Sequence, residues 1–346
     1  MFNHVSARFG SGDLYEASDL KGVTFCACAA CMSVYSEFLT WSNSDKSQMT
    51  LNPEKADNII ILGCQVTDLA VLNDLRILES YMAKYPGKNF FVGGCLARRF
   101  DVTLPEGVRR LDLLRDDSQT YIQPNIVFEK PFWVKELEVT NSIADGMLFR
   151  HMYPIRIGVG CNKGCTYCTI KETRGRGYEI PIGVKQIEEF KRSRLDVVLI
   201  AESPTAIQLT EWIGIAKALN KPISIRNVEP VVALEIFDNI KRLSQLGLLR
   251  VLHCPIQSNN PETLKDMHRP VVQTQELIEK MKLINGKQTL RATNVIIDYK
   301  GFSNPDMAKL SESFDYISWN PFWDGKWSRE GAEERHKKYL ESDFKL

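Results

Sequence analysis

The chain has almost no net charge. Its 346 residues carry 44 Lys and Arg against 43 Asp and Glu, a formal balance of +1. No global basic field is available to attract a phosphate backbone, which leaves only a local patch for such binding. The sequence also lacks any run of about 18 apolar residues, the length that a membrane span requires. Its opening, Met-Phe-Asn-His-Val-Ser-Ala-Arg, has no apolar core of a secretory signal. A cytoplasmic protein with no membrane partner is therefore the expectation. The cytosol keeps thiols reduced, so the nine cysteines are expected to serve as metal ligands or catalysts and not as disulfides. There is no internal repeat and no low-complexity tract.

What is present is ordinary in bulk and specific in detail. Hydrophobic residues make up 44% and charged residues 25%, values of a globular protein with a sizeable core. Residues 1–20 read as an irregular segment. Strand-like and helix-like runs then alternate over 21–130. Asn58-Ile-Ile-Ile-Leu-Gly63 is an apolar run suited to a buried parallel strand, and an amphipathic helix follows from about Thr67 to Tyr85. Asn89–Gly94 is the next strand, and Gly22–Ala27 the first. Residues 131–150 read as a connector. A second alternating series fills 151–346. Its strands are expected at Pro154–Val159, Asp196–Ala201, Pro222–Arg226, Leu249–Ile256, Leu290–Ile297 and Tyr316–Trp319. Helices are expected between them, Val232–Leu246 among others. The fold class is thus α/β: an N-terminal parallel-sheet α/β domain, then six βα units, too few to close an eight-fold barrel and so an open, partial (βα)6 barrel.

Three cysteines stand out: Cys161-Asn-Lys-Gly-Cys165-Thr-Tyr-Cys168, after Gly160 and around Gly164. The spacing is C-x3-C-x2-C. Three thiolates on one glycine-containing loop suit three irons of a four-iron cluster and leave the fourth open to a substrate or cofactor. A structural zinc site needs a fourth ligand, usually in paired C-x2-C spacing, and no neighbouring His or Cys supplies it. In a parallel α/β fold the loop after the first barrel strand lies at the rim where chemistry collects.

The motif resembles that of the radical S-adenosylmethionine (SAM) superfamily, with its aromatic residue just before the last cysteine. Thr173-Arg-Gly-Arg176 with Pro181 resembles the methylthiotransferase branch. So does His253-Cys-Pro-Ile-Gln257-Ser258, followed by Leu264-Lys-Asp-Met267-His-Arg269. The resemblance covers about residues 20–330. It implies an N-terminal methylthiotransferase-like, cluster-binding domain ahead of the radical SAM barrel.

The N-terminal domain offers its own support. Cys64 follows Asn58–Gly63, Cys95 follows Asn89–Gly94, and Cys26, Cys28 and Cys31 lie around the end of Gly22–Ala27. Strand ends of one parallel sheet are neighbours, so one cysteine from each is a candidate ligand of a second four-iron cluster. Cys28 fits best as the third ligand with Cys64 and Cys95, because it follows the strand and precedes the helix. Cys26 or Cys31 could replace it. The family has one cysteine at this point and an asparagine-containing sequence after it, which this chain lacks. Cys254, in the apolar strand with Val251 and Leu252, reads as a buried structural residue.

The resemblance also guides the remaining candidates. Tyr167 borders the adenine of SAM or braces the loop. Glu202 and Ser203 follow the second barrel strand and are candidates to contact SAM. Gln257 is expected at SAM and Ser258 at the substrate, both in the active-site cavity. Arg174 and Arg176, beside Lys163 and Lys171, form a small basic group for a substrate anion or the SAM carboxylate. Arg226 is a weaker candidate. Trp319, Phe322, Trp323 and Trp327 are expected to close the open side of the barrel.

The resemblance implies two 4Fe-4S clusters, SAM, and an electron donor such as flavodoxin or ferredoxin. The cluster on the triad would chelate SAM and pass it one electron. The second would carry the sulfur that ends in a C–S bond, by methylthiolation or sulfur insertion. Family substrates are a transfer RNA adenosine and a ribosomal-protein aspartate. This chain is read as lacking the family's C-terminal β-barrel domain, so a peptide, a small molecule and tRNA all remain open. Two other readings compete: another radical SAM reaction whose N-terminal cluster only relays electrons, and a non-catalytic metal-binding module.

Overall fold

A computed structural model describes residues 12–16, 20–27, 33, 36, 48–50, 52–113, 148–149 and 152–340. The described residues divide into two compact units. One contains residues up to 113 and those from Trp323 onward, and the other runs from 148 to Phe322.

The first unit is a six-stranded sheet of β1 (Tyr15–Glu16), β2 (Val23–Ala27), β3 (Gln48–Met49), β4 (Asn58–Gly63), β5 (Asn89–Gly94) and β6 (Arg109–Asp112). The strand order is β1-β6-β5-β4-β2-β3, and every pairing is parallel. All six residues of β4 are buried, as a continuous apolar run in a parallel sheet with both faces covered should be. The helix Asp68–Lys84 starts where Thr67 accepts a hydrogen bond from the Ala70 N–H at 3.1 Å.

Two expectations change here. The first twenty residues are not wholly irregular, since Tyr15 and Glu16 pair with Leu111 and Asp112. A two-residue edge strand is too short to carry a periodic signal. Residues from Trp323 also group with this unit and not with the barrel. The helix Arg329–Leu340 sets Arg329 against both carboxylate oxygens of Glu79, at 2.6 and 2.8 Å, and Arg335 against Asp68. Those partners lie about 250 residues earlier in the chain, beyond the reach of local pattern.

The second unit contains β7 (Tyr153–Arg156), β8 (Gly158–Val159), β9 (Tyr178–Glu179), β10 (Val197–Ile200), β11 (Ile223–Ile225), β12 (Leu249–His253), β13 (Leu290–Ile297) and β14 (Tyr316–Pro321). Six of these form a parallel sheet in the order β14-β13-β12-β11-β10-β7. The first strand in sequence and the last occupy opposite edges, so the sheet of six βα units is open. Helices Val184–Arg192, Ala206–Ala218, Pro230–Glu235, Phe237–Gln245, Pro261–Asp266, Val271–Met281 and Met307–Ser311 connect it. The run Pro154–Val159 is not one strand. After Arg156 the chain leaves the sheet, and β8 pairs antiparallel with β9. The single helix expected over Val232–Leu246 is two, broken at Ile236. Among the described residues no helix is long and apolar enough to cross a membrane.

Candidate metal centre and cofactor site

The triad loop hangs between β8 and β9, and its base is drawn shut. Asn162 accepts from the Gly177 N–H at 3.1 Å and donates to the Gly177 carbonyl at 3.0 Å, while the Cys161 N–H donates to the Gly175 carbonyl at 3.3 Å. Gly160 turns the chain into the loop with φ +74°, and a Cβ there would meet the Arg176 carbonyl oxygen at 2.5 Å. Only glycine fits both demands. The far side of the loop is fastened to the segment after helix Pro261–Asp266. The Thr166 hydroxyl donates to the Asp266 carbonyl at 2.9 Å and lies 2.9 Å from the Tyr299 hydroxyl, and the Thr166 N–H donates to the Met267 carbonyl at 3.3 Å. His268 Nδ1 lies 3.3 Å from the Gly164 carbonyl.

The three cysteines are half-buried neighbours. Burial pushes the Cys168 thiol up to about 12, and the charges of Cys165 and Cys161 add to that. Burial also raises Cys161, against hydrogen bonds from the Lys163 N–H and the Ser203 side chain that lower it. Thiols held apart from water but close to one another favour a metal, which takes the place of their protons. Among the described residues no three His, Cys, Asp or Glu side chains converge on one metal ion. A four-iron cluster does not ask for that, because each thiolate binds a different iron. The donor set, together with the open space around Gly164, where an added Cβ would meet nothing within 4 Å, fits such a cluster.

The residues expected around SAM and substrate fall into several positions. Glu202, just past β10, accepts from the Gly160 N–H at 2.9 Å and pairs with Arg174 at 3.3 Å. Arg174 is only 1% exposed in its side chain, so its charge is spent on Glu202 inside the fold and is not displayed to a substrate anion. Arg176 is exposed. Ser203 bonds the Cys161 thiol. Tyr167 packs against the cluster of Met267, Ile296 and Tyr299. Gln257 adopts φ +69°, and its side-chain oxygen accepts from Asn294 Nδ2 at 3.1 Å. Asn294 Oδ1 in turn lies 3.0 Å from His253 Nε2, and the Asn227 N–H donates to His253 Nδ1 at 3.3 Å. These groups form a polar chain that runs from the ends of β11 and β12 into β13. Ser258 is fully buried and caps the turn to Asn260, accepting its N–H at 3.1 Å. It therefore does not stand open to a cavity. Cys254 is fully buried with its thiol raised to about 12, as its structural reading required. Trp319 and Phe322 belong to the barrel unit, with the Phe322 ring 4.7 Å from that of Tyr299. Trp323 departs from expectation, since its ring receives the Arg99 guanidinium at 4.6 Å in the first unit.

Sequence reasoning missed Glu229 and Arg269. Glu229 binds Lys163 at 2.9 Å and Arg269 at 2.7 Å. Arg269 approaches the Cys165 sulfur at 3.9 Å. The run Met267-His-Arg269 was visible as a motif, but its role rests on contacts made across about 100 residues.

In the first unit the register matches β4 to β5 residue for residue, ending in Gly63 opposite Gly94. Cys64 and Cys95 therefore leave adjacent strands at the same level. A Cβ on Gly63 would meet Leu96 at 2.6 Å, and Gly94 has φ +72°. The Cys64 N–H donates to buried Asp74 at 2.7 Å. Gln65 and Arg99, both fully buried, link the two cysteine loops at 3.4 Å. Arg99 also binds Asp101 through two nitrogens, at 2.7 and 2.5 Å, and the Gly325 carbonyl at 3.0 Å. Cys26 pairs with Ile60, four residues short of Cys64. At about 3.3 Å per residue that is roughly 13 Å down the strand, too far to share a cluster with Cys64. It is buried, and burial pushes its thiol well up. Cys28 and Cys31 lie outside the described residues.

Comparison with known proteins agrees with the barrel's loop. Residues 155–312 match the Radical SAM superfamily model. The chain is 25% identical to the ribosomal protein uS12 methylthiotransferase RimO of Clostridium botulinum (strain Langeland) over 85% of its own length and 72% of that protein. It is 26% identical to the RimO of Clostridium novyi over 90% and 76%. It is 23% identical to the tRNA-2-methylthio-N(6)-dimethylallyladenosine synthase of a Sulfurihydrogenibium strain over 81% and 70%. Among solved structures it resembles the radical SAM methyltransferase TsrM of Kitasatospora setae, with a TM-score of 0.49 and 11% identity over 86% of this chain and 72% of that one. The chain carries a radical SAM domain and is an enzyme of the radical SAM transferase kind, for which a 4Fe-4S cluster and SAM are the cofactors.

Proposed function

We propose that the enzyme forms a C–S bond at an unactivated C–H of its substrate, by methylthiolation or a related sulfur insertion, and uses two clusters to do so. The observation that carries the reading is the matched register of β4 and β5, which sets Cys64 and Cys95 side by side at the C-terminal edge of a parallel sheet. In this reading Cys161, Cys165 and Cys168 hold one four-iron cluster. Cys64, Cys95 and a third cysteine, Cys28 or Cys31, hold the other. A four-iron cluster held by Cys161, Cys165 and Cys168 would supply the one-electron reduction of SAM that gives access to radical chemistry.

The chain's own residues then position and enclose. The Glu202 carboxylate, neutralised by Arg174, holds the Gly160 N–H and so fixes where the triad loop starts. Ser203 orients the Cys161 sulfur. Tyr167 and the Thr166–Tyr299–Asp266 hydrogen bonds keep the loop's far side from moving. The chain Asn227–His253–Asn294–Gln257 offers amide and imidazole hydrogen bonds and no Lys or Arg, which suits an amide or a nucleobase edge better than a phosphate. A protein side chain or a tRNA base is the substrate class, as the names of the relatives would have it. A reduced ferredoxin or flavodoxin is the electron donor.

Anaerobic reconstitution with iron, sulfide and methyl-labelled SAM tests the proposal. About eight iron atoms per chain and methyl label in a sulfur-containing product support it. Cleavage of SAM with an unlabelled, sulfur-free product overturns it in favour of a radical SAM reaction of another type.

A further inference from the structure

The structure buries a cation beside one of the triad sulfurs. The Arg269 side chain is 3% exposed, and its Nη1 lies 3.9 Å from Cys165 Sγ. The same nitrogen donates to Glu229 at 2.7 Å, and Nη2 donates to the Pro255 carbonyl at 2.8 Å. Nε is buried without a hydrogen-bond partner. A guanidinium keeps its charge at every accessible pH, and burying it incompletely paired is costly. Glu229 does not cancel it, because that carboxylate is shared with Lys163 of the triad loop at 2.9 Å. Lys163 and Arg269 thus share one carboxylate, and of these two cations only Arg269 is buried against a triad sulfur.

Positive charge next to a ligand sulfur favours the more electron-rich form of an iron–sulfur cluster and raises its reduction potential, the more so where water is excluded. We propose that Arg269 sets the reduction potential of the cluster held by Cys161, Cys165 and Cys168, and that Glu229 opposes it. The inference rests on the assignment of that cluster. Arg269 acts through Cys165 and is a positioning residue. It places a charge and takes no part in bond making. Its consequence is functional all the same, since the potential decides whether a mild cellular donor can deliver the electron that SAM cleavage needs.

A clamp would explain the same contacts, because Arg269 ties together Glu229, Pro255 and the loop. The two roles separate by sign. The full chain, reconstituted anaerobically, is titrated redox-wise with electron paramagnetic resonance as the readout, following the signal that SAM perturbs. R269Q removes a positive charge and should move the midpoint downward. E229Q removes a negative charge and should move it upward. R269K keeps the charge, loses the fork, and should stay near the wild type. Shifts of opposite sign support the proposal. Shifts of the same sign, or none, overturn it. If R269Q fails to take up iron, E229Q decides alone, with a rise in support and its absence against. A wild-type chain with no SAM-responsive four-iron signal sinks the cluster assignment and this inference with it. A normal wild-type signal with unmoved variants sinks the inference only.

Discussion

The two cysteine sets are held in opposite ways. Cys161, Cys165 and Cys168 ride on one loop of eight residues, so the spacing of the sequence is nearly the spacing of the proposed ligands. Cys64 and Cys95 come from separate strands, and only the β4–β5 register makes them neighbours. A local site can be built by a short glycine-containing loop and a few hydrogen bonds at its base. A dispersed site inherits its geometry from the whole sheet, and its errors would be errors of fold. The Gln65–Arg99 link and the glycines before each cysteine are what tie together the two loops of the proposed dispersed site.

The sharpest break of this comparison is in the triad. Replacing any of Cys161, Cys165 or Cys168 by Ala should abolish SAM cleavage and remove about half of the bound iron, read by product chromatography and iron analysis. Replacing Cys64 or Cys95 should instead leave 5′-deoxyadenosine formation in place and remove the C–S product. C26A should leave both intact, because that thiol is buried well below the rim. If C26A behaved like C64A, the register argument would be wrong.

A smaller effect tests the support of each site. G160A forces a Cβ against the Arg176 carbonyl at a positive φ and should cost about 2–3 kcal/mol of loop stability, seen as loss of reconstituted iron at the triad. R99A removes a fully buried cation from Gln65, Asp101 and Gly325 and should cost about 3 kcal/mol, measured by denaturant unfolding. Its damage should fall on the product and spare SAM cleavage, which G160A should not.

The smallest effect concerns the helix Arg329–Leu340. The Arg329 hydrogen bonds hold the Glu79 carboxyl below its ordinary range, against the opposing pull of burial. A carboxylate whose pKa is lowered on folding stabilises the fold above its unfolded value, about 4.3, and loses that stabilisation as pH falls through the folded one. The pair is exposed at 47% and 38%, so solvent screening leaves it under about 0.5 kcal/mol. R329A should therefore lower stability slightly at pH 7, and by progressively less as pH falls below about 4.3, as followed by thermal melts.

Much of this was legible in the residues. The triad, the strands Asn58–Gly63 and Asn89–Gly94, and the six barrel strands follow from spacing and from apolar runs. Other features were out of reach for a common reason. Arg174 looked like a surface cation because its partner Glu202 lies 28 positions away, and nothing local reports that both are buried. Ser258 looked accessible because a turn cap and a cavity wall read alike in sequence. Arg109-Arg-Leu-Asp112 is too polar and short to announce a strand, yet it pairs with both β5 and β1. Trp323 sat next to Phe322 in the chain and packs in a different unit.

That last placement bears on how the protein is made. The sheet bearing Cys64 and Cys95 is threaded first but is finished by Trp323, Gly325 and the helix Arg329–Leu340. During synthesis Arg99 has its counter-charge, Asp101, at hand from the start, but the Gly325 carbonyl and the Trp323 ring arrive only after more than two hundred further residues have left the ribosome. The sheet threaded first is thus completed only by residues made after the barrel.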